Sequence, residues 1–424
     1  MSQDAPASVV ITGLGLVTPV GIGVEETWAA LRKQQSGVAP VRGWDASEEA
    51  VQIAAQLPEE WEARFRAEVK LPFARRYGRF ARMGLHAAQE ALTQAQLLPE
   101  QRDRERDARA GVCFGVGGGA THYLAPARQA LLDGEAEGFD RAIDHTFVLQ
   151  TMFNAPAGLA AIQFGLQGPS AIVSAACASG SGALAQALDW LRCGRAEWVL
   201  VGGCDSTVDR ETLRAYQRVG ALTEDNARGS AASRSFDGAR SGFVMAEGGA
   251  ALVLETEAHA AARAATPIAR LCGAGLVSEA HKIASPLLDG SGMVRSIQSA
   301  LIDSGMQPEA VGHVSAHAPS TLQGDLAESR AIASCLGGGE NAPTVTAPKS
   351  MLGHAIGASS AIATALTALS LQRGEGLPTA HLEQQDPEID AQVLTEPSAL
   401  DGRAALVNAF GFGGHNISLV LDRV

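Results

Sequence analysis

Lysine is scarce in this sequence of 424 residues: it occurs four times, and arginine supplies the rest of the 33 basic side chains. Acidic side chains number 46, so the formal net charge is −13 with histidine neutral. Proteins that bind nucleic acid or anionic membranes need clustered Lys and Arg. The overall charge therefore excludes wholesale binding to either, and no nucleic-acid or membrane partner is expected.

The sequence also lacks any run of about 18 apolar residues without charge, and no transmembrane helix is predicted. The N-terminus has no basic segment ahead of an apolar one, so we expect no signal peptide. None of the six cysteines belongs to a CxxC pair, which disfavours a disulfide framework or a zinc site. These absences predict a cytoplasmic protein with reduced thiols.

Glycine, by contrast, is abundant at 47 residues, and short β-branched segments alternate with longer segments rich in Ala and Leu. This alternation predicts α/β layers with largely buried sheets. Helices are predicted at 25–33 and 84–95, and strands at 9–12, 110–114, 171–175, 198–202 and 249–255.

Several segments of the first part of the chain recur in the same order in the second. The matching pairs are 91–100 with 300–309, 13–17 with 273–277, and 183–188 with 361–366. Each match alone is weak, but their shared order indicates an internal duplication. We expect an N-terminal half over 1–258 and a C-terminal half over 259–424, whose equivalent helix N-termini meet around one centre.

Cys177 lies in the small-residue segment SAACASGSG (174–182), between a predicted strand and a predicted amphipathic helix. A helix N-terminus and its free N–H groups favour a thiolate. Small neighbours let a substrate approach closely and let the backbone turn sharply. A cysteine alone is more often a buried structural thiol, but these neighbours favour a nucleophile.

The corresponding segment of the second half is APKSMLGHAIG (347–357), with His354 ahead of a predicted helix and Lys349 in a turn predicted to be non-helical. If the halves pack about a pseudo-twofold axis, His354 faces Cys177. The plainer interpretations are that His354 caps the helix and that Lys349 is a solvated charge. His317 ends another predicted strand, before a loop with hydroxyl groups and an acid-bearing helix.

The chain closes with NAFGFGGHN (408–416), a predicted strand followed by glycines. Alone, this motif is typical of an ordinary hairpin turn. Together, these motifs resemble the β-ketoacyl-acyl-carrier-protein synthases, the type II elongating (KAS II-like) ketosynthases of the thiolase superfamily. The resemblance runs from VVITGLG (9–15) to GGHN (413–416) and includes SFD (235–237) and RSGFVMAEG (240–248).

The resemblance implies an α/β, thiolase-like fold: a duplicated five-layered α-β-α-β-α core of two pseudo-twofold-related halves. It also implies a decarboxylative Claisen condensation in which Cys177 takes the acyl chain from a carrier thioester. Backbone N–H groups of Cys177 and Phe412 would form an oxyanion hole, and Phe412 would double as a gate. His317 and His354 would stabilise the thioester carbonyl and the enolate that malonyl-carrier protein forms on losing CO2.

Lys349 would order the site through Glu328 and water, and no metal or organic cofactor is expected. The family usually has Gly-Thr after this histidine, whereas this chain has Ala318-Pro319. Pro319 offers neither a hydroxyl nor an N–H, which favours a specialised pathway over housekeeping elongation. The residues expected to contact substrate and pantetheine are Ser320, Thr321, Phe410, Gly411 and Gly413.

Seven cations and one acid occur between residues 64 and 82, a local reversal of the overall charge. This segment is either a solvated helical face or a docking site for an acidic acyl carrier protein. Arg75, Arg76 and Arg79 are the expected docking residues. The resemblance implies a homodimer, with a heterodimer containing a chain-length partner as the alternative.

The leading hypothesis is thus a β-ketoacyl synthase of fatty-acid or type II polyketide or aryl-polyene-like biosynthesis. The alternative is a non-elongating, chain-length-factor-like partner subunit, although such partners typically lack the cysteine that Cys177 supplies. A degradative thiolase is disfavoured because it needs a second catalytic cysteine near the C-terminus. This chain has Phe412 and His415 in that region, and its last cysteine is Cys335.

Overall fold

The computed structural model describes residues 7–70, 72, 76–102, 107–119, 124–339 and 342–424. Its strands are β1 (Val9–Thr18), β2 (Gly21–Ile22), β3 (Val38–Pro40), β4 (Ile53–Ala55), β5 (Ala110–Gly115), β6 (Ser170–Val173), β7 (Trp198–Ser206), β8 (Glu247–Thr256), β9 (Ala269–Ser278), β10 (Val311–Ser315), β11 (Thr344–Thr346), β12 (Glu375–Gly376), β13 (Gln392–Val393), β14 (Ser398–Ala399), β15 (Ala404–Gly411) and β16 (His415–Asp422). Its α-helices are α1 (Val24–Arg32), α2 (Trp61–Glu68), α3 (Arg79–Ala95), α4 (Ala125–Leu132), α5 (Ala136–Ala142), α6 (Phe147–Thr151), α7 (Ala155–Phe164), α8 (Ser179–Arg192), α9 (Arg210–Arg218), α10 (Glu257–Ala262), α11 (Ser291–Ser304), α12 (Leu322–Leu336), α13 (Lys349–Leu352) and α14 (Gly357–Arg373).

The main sheet repeats one strand order on either side of the contact between β1 and β9. The order is β1-β8-β7-β5-β6 in the first part of the chain and β9-β16-β15-β10-β11 in the second. In each set of five, the strand that comes last along the chain (β8 or β16) lies next to the strand that comes first (β1 or β9), so the sequence repeats correspond to a repeated topology. The boundary expected between residues 258 and 259 lies within α10, and that division into two domains stays a prediction.

Helices and strands alternate in five layers. On one outer face α3 packs on β1, β8 and β7, and on the other α11 packs on β9 and β16. Between the two sets of strands, α8 and α14 pack against each other and contact strands from both parts of the chain. Helix α14 is buried at every position from Gly357 to Leu371, as expected for a helix enclosed between two sets of strands.

The predicted helices and strands named above are all present, and several extend beyond their predicted ends. The largest extension is in β1, which continues through the glycines at positions 13 and 15 to Thr18. These glycines reflect close packing: a Cβ on Gly15 would overlap the carbonyl oxygen of Ala87 in α3. Lys349, predicted in a non-helical turn, begins the short helix α13 instead. Within the described ranges, no helix is long and apolar enough to cross a membrane.

The close approach of α3 to β1 makes Gly15→Ala destabilising. The added methyl group overlaps backbone that cannot move independently, so we expect the free energy of unfolding to fall by about 1–3 kcal/mol. Gly158→Ala is the matched control, because a Cβ there meets no atom within 4 Å and alanine favours the helix by up to about 1 kcal/mol. Thermal unfolding at one protein concentration measures both, and equal Tm values for the two variants would contradict the close contact.

Candidate active site

Cys177 lies in a tight turn just before α8. The preceding residue, Ala176, has a φ of 49°, a left-handed conformation that an L-residue adopts only when its surroundings impose it. The hydroxyl of Ser179 holds the turn, because it accepts the N–H of Ala175 at 2.9 Å and donates to the carbonyl of Ala176 at 2.6 Å. The turn therefore presents Cys177 at the N-terminus of a central helix.

Burial raises the pKa of Cys177 to about 11. The charge of Lys349 and the backbone N–H groups of Phe412 and Cys177 act in the opposite direction, but desolvation is the largest effect. Backbone N–H groups thus favour the thiolate in the expected direction, but desolvation outweighs them. The thiol therefore retains its proton at rest and must lose it as the sulfur attacks.

Phe412 occupies the turn between β15 and β16, and its backbone N–H is directed at Sγ of Cys177. The loop reaches this position because residue 411 is glycine: a Cβ there would lie 2.6 Å from the carbonyl oxygen of Ala175. The ring of Phe412 stacks on Tyr216 with centroids 6.3 Å apart. The glycine motif is thus both a hairpin turn and one wall of the site.

Two histidines from the second part of the chain face Cys177. Its Sγ and one ring nitrogen each of His317 and His354 all lie within 4.8 Å of one another. The two imidazoles are nearly perpendicular, with centroids 5.4 Å apart. Burial and the charge of Lys349 hold the pKa of each histidine well below its usual range, so both rings are neutral.

Lys349 and Glu328 fix the backbone that carries His317. Nζ of Lys349 donates to the carbonyl of His317 at 2.5 Å. Glu328 accepts the N–H groups of His317 at 2.8 Å and of Ala318 at 2.7 Å, together with the amide of Asn408 at 3.0 Å. Burial lowers the pKa of Lys349 to about 8, against the opposing charge of Glu328.

One thiol and two imidazoles at this spacing could also ligate a metal ion such as zinc. The buried ammonium of Lys349 disfavours that use, because it repels a second cation. The three groups are better suited to proton and acyl transfer.

Asp205 is a further buried group of the site, at the end of β7. Its carboxylate accepts four backbone N–H groups at 2.7–3.0 Å, from three glycines after β5 (Gly117, Gly118 and Gly119) and from Gly357 at the start of α14. Burial raises its pKa to about 6. Asp205 therefore ties the two parts of the chain together beside Cys177. The sequence analysis did not predict a role for Asp205, although an acidic residue near the end of an otherwise apolar strand can indicate one.

A cavity of about 390 Å³ leads to Cys177 and is bounded by both histidines and Phe412. Of the residues expected to bind pantetheine, Thr321, Phe410 and Gly411 line it. Ser320 lies behind the wall, because its hydroxyl accepts the N–H of Arg234 at 3.0 Å. The N–H of Gly413 donates to the carbonyl of Ile283 at 2.6 Å and so holds the loop at the mouth of the cavity.

Two of the three arginines expected to dock the carrier protein lie within the described residues. Arg75 lies outside the described residues, and Arg76 lies three residues before α3. Arg79 donates twice to the buried carboxylate of Glu247, at 2.8 Å each, and its guanidinium lies 4.6 Å from the ring centroid of Trp61. The charge of Arg79 is therefore largely neutralised inside the fold.

Similarity to known proteins extends over nearly the whole chain. Residues 7–260 match the family "Beta-ketoacyl synthase, N-terminal domain" and residues 268–383 match "Beta-ketoacyl synthase, C-terminal domain". The 3-oxoacyl-[acyl-carrier-protein] synthase 2 of Synechocystis sp. is 34% identical over 98% of this chain and 98% of its own.

Two solved structures share the fold over nearly the full length. The ishigamide ketosynthase/chain length factor has a TM-score of 0.90 and 30% identity, over 99% of this chain and 100% of that one. A type II PKS ketosynthase, bound to the hexaketide and in complex with its acyl-carrier protein, has a TM-score of 0.86 and 29% identity, over 99% of this chain and 100% of that one. The thiolase-like fold is thereby confirmed, and the chain belongs to the β-ketoacyl synthase family.

Proposed function

We propose that this protein is a β-ketoacyl-acyl-carrier-protein synthase, an acyltransferase that condenses an acyl thioester with malonyl-carrier protein. The observation that carries the proposal is the placement of one buried thiol within 4.8 Å of two neutral imidazoles, with the N–H of Phe412 directed at its sulfur. Such a site supplies a nucleophile, a proton carrier and donors aimed at an oxyanion.

In the first half-reaction, Sγ of Cys177 attacks the thioester carbonyl. The N–H groups of Cys177 and Phe412 receive the negative charge that develops on the carbonyl oxygen. A bond forms between Sγ and the acyl carbon, and the bond from that carbon to the pantetheine sulfur breaks. The thiol proton moves to the departing sulfur, and a neutral imidazole of the pair can carry it.

In the second half-reaction, the malonyl thioester loses CO2 and its electron pair remains as an enolate. The N–H groups of His317 and His354 can stabilise the enolate oxygen, because neutral imidazoles retain a donor without adding charge. The enolate carbon then attacks the acyl-Cys177 carbonyl, so that a carbon–carbon bond forms and the bond from the acyl carbon to Sγ breaks. The departing Cys177 thiolate takes up a proton from solvent, which restores the neutral thiol. Loss of CO2 drives the condensation, and the chemistry calls on no cofactor.

An acidic acyl carrier protein is the proposed partner, as for the related ketosynthase solved with its carrier. We assign its docking to the basic segment before α3, including Arg75 and Arg76, and place the protein in the cytoplasm. A second copy of the chain is the other proposed partner. Strand β6 ends the main sheet and is only half-buried, and α7, which packs on it, exposes Ile162 at 82%, so this edge favours association.

A chain-length partner subunit is the second candidate function, since one similar structure contains a ketosynthase together with a chain length factor. Such a subunit would shape the acyl pocket without forming an acyl-enzyme. The complete Cys177, His317, His354 and Lys349 constellation favours the catalytic subunit. The identity of the subunit is decided by whether Cys177 becomes acylated.

Incubation of the purified protein with a panel of acyl-carrier thioesters should add one acyl mass to the peptide that contains Cys177. Cys177→Ala should abolish the adduct, because no other group occupies the oxyanion site. Cys193→Ala is the control, since Cys193 is exposed and lies beyond the far end of α8. Intact-protein and peptide mass spectrometry measure the result. Acylation of a co-purified partner, with none on Cys177 for any chain length, would favour the chain-length role.

The raised pKa of Cys177 predicts a steep pH dependence of its alkylation. With a pKa of about 11, only about one molecule in a thousand is a thiolate at pH 8, and the fraction rises about tenfold per pH unit below the pKa. The rate with iodoacetamide, measured in a Cys193→Ala background, should therefore keep rising up to pH 10. Lys349 is a cation only below its pKa of about 8, so Lys349→Met should slow alkylation about 2- to 10-fold at pH 7 and have a smaller effect at pH 10. A plateau below pH 8 would contradict the neutral thiol.

Charge reversal in the docking segment should weaken carrier binding. Arg75→Glu with Arg76→Glu should raise KM for carrier-bound substrates about 3- to 10-fold at low salt with little change in kcat, and added salt should shrink the difference. Arg195→Glu reverses one charge at an exposed site that follows the C-terminal end of α8, and it should leave KM unchanged. An unchanged KM in the double variant at low ionic strength would remove these residues from the docking surface.

A further inference from the structure

Ser359 contacts the imidazole of His354 on the side away from the cavity. It lies in the first turn of α14, and its Oγ is 2.9 Å from Nδ1 of His354. The same oxygen accepts the N–H of Ala355 at 2.8 Å. Ser359 is itself buried, at 7% exposure.

The direction of the hydrogen bond follows from counting protons. A backbone N–H can only donate, so the bond from Ala355 uses a lone pair of Oγ. The hydroxyl retains one proton, and the only acceptor that it meets among the described residues is Nδ1 of His354. Ser359 therefore donates to Nδ1, which must carry a lone pair. In a neutral imidazole the ring proton then resides on Nε2.

Nε2 of His354 is the atom that needs a partner. It is buried and makes no hydrogen bond to any described residue, while His354 lines the cavity that leads to Cys177. A buried N–H without an acceptor is costly. A substrate oxygen placed in the cavity would relieve that cost, so the donor is available where substrate binds.

We propose that Ser359 is a positioning residue that holds His354 as the Nε2–H tautomer, so that this histidine always presents a hydrogen-bond donor to the thioester and enolate oxygen. The identity of that oxygen rests on the function proposed above. The ring of His317 differs, because none of the described residues donates to or accepts from its nitrogens. His317 is thus free to carry the proton of the Cys177 thiol, while His354 serves as the hydrogen-bond donor.

The tautomer of His354 is measured directly by ¹⁵N NMR of histidine-labelled protein, with His354 assigned by its loss in His354→Asn. Wild-type protein should show an unprotonated Nδ1 and a protonated Nε2. Ser359→Ala should add the Nδ1–H form, because it removes the donor to Nδ1. Ser359→Thr, which keeps the hydroxyl, should restore the wild-type pattern. Ser360→Ala is the matched control, since that hydroxyl accepts the N–H of Ser181 instead.

The two half-reactions give the kinetic readout. Release of CO2 from malonyl-carrier protein should fall about 10- to 100-fold in Ser359→Ala, less than the cost of about 100- to 1000-fold for deleting a whole oxyanion donor, because the ring still samples the Nε2–H form. Acylation of Cys177 should stay within about threefold of wild type, and Ser360→Ala should behave as wild type in both steps.

An Nδ1–H tautomer in the wild-type protein would overturn the proposal, and this result needs no variant to fold. An unchanged tautomer in Ser359→Ala would also overturn it, whatever happens to the rates, because the loss would then be structural. If the wild-type protein forms no acyl-enzyme but the tautomer shifts as expected, the role of Ser359 stands and the proposed function fails.

Discussion

Desolvation at the junction of the two central helices is the constraint on which the site depends. The thiol of Cys177, both imidazoles and the ammonium of Lys349 are all buried there. Removal from water keeps Cys177 protonated and both histidines neutral, and lowers the pKa of Lys349. Because water is excluded, the carbonyl of His317 partners Lys349 and the hydroxyl of Ser359 partners Nδ1 of His354, and these bonds fix the geometry.

The carboxylates Asp205 and Glu328 show how the fold supports this dry site. Each is fully buried and accepts several N–H groups instead of pairing at short range with a cation. Asp205 joins the glycine loop after β5 to the start of α14, and Glu328 holds the backbone on either side of His317. Loops from distant parts of the chain are therefore locked to within hydrogen-bond distance, and preorganised donors of this kind contribute most to stabilising an oxyanion.

The duplicated topology explains why the chemistry gathers at this place. Equivalent strand orders place α8 and α14 side by side between the two sets of strands of the main sheet, so the N-termini of both helices open on the same cavity. Cys177 precedes one helix and His354 the other. The hairpin that carries Phe412 closes the site from a third direction, and the close packing of glycine against Ala175 allows its N–H to reach the sulfur.

The sequence by itself determined the α/β class, the repeat and the residue types of the site, because periodicity, glycine clusters and short motifs are local properties of the chain. It did not determine the protonation state of Cys177, since the helix N-terminus is visible in sequence while the depth of burial is not. The role of Asp205 and the inward hydroxyl of Ser320 are likewise tertiary. Only the folded structure decides which electrostatic effect is larger, because desolvation depends on neighbours that are hundreds of residues apart along the chain.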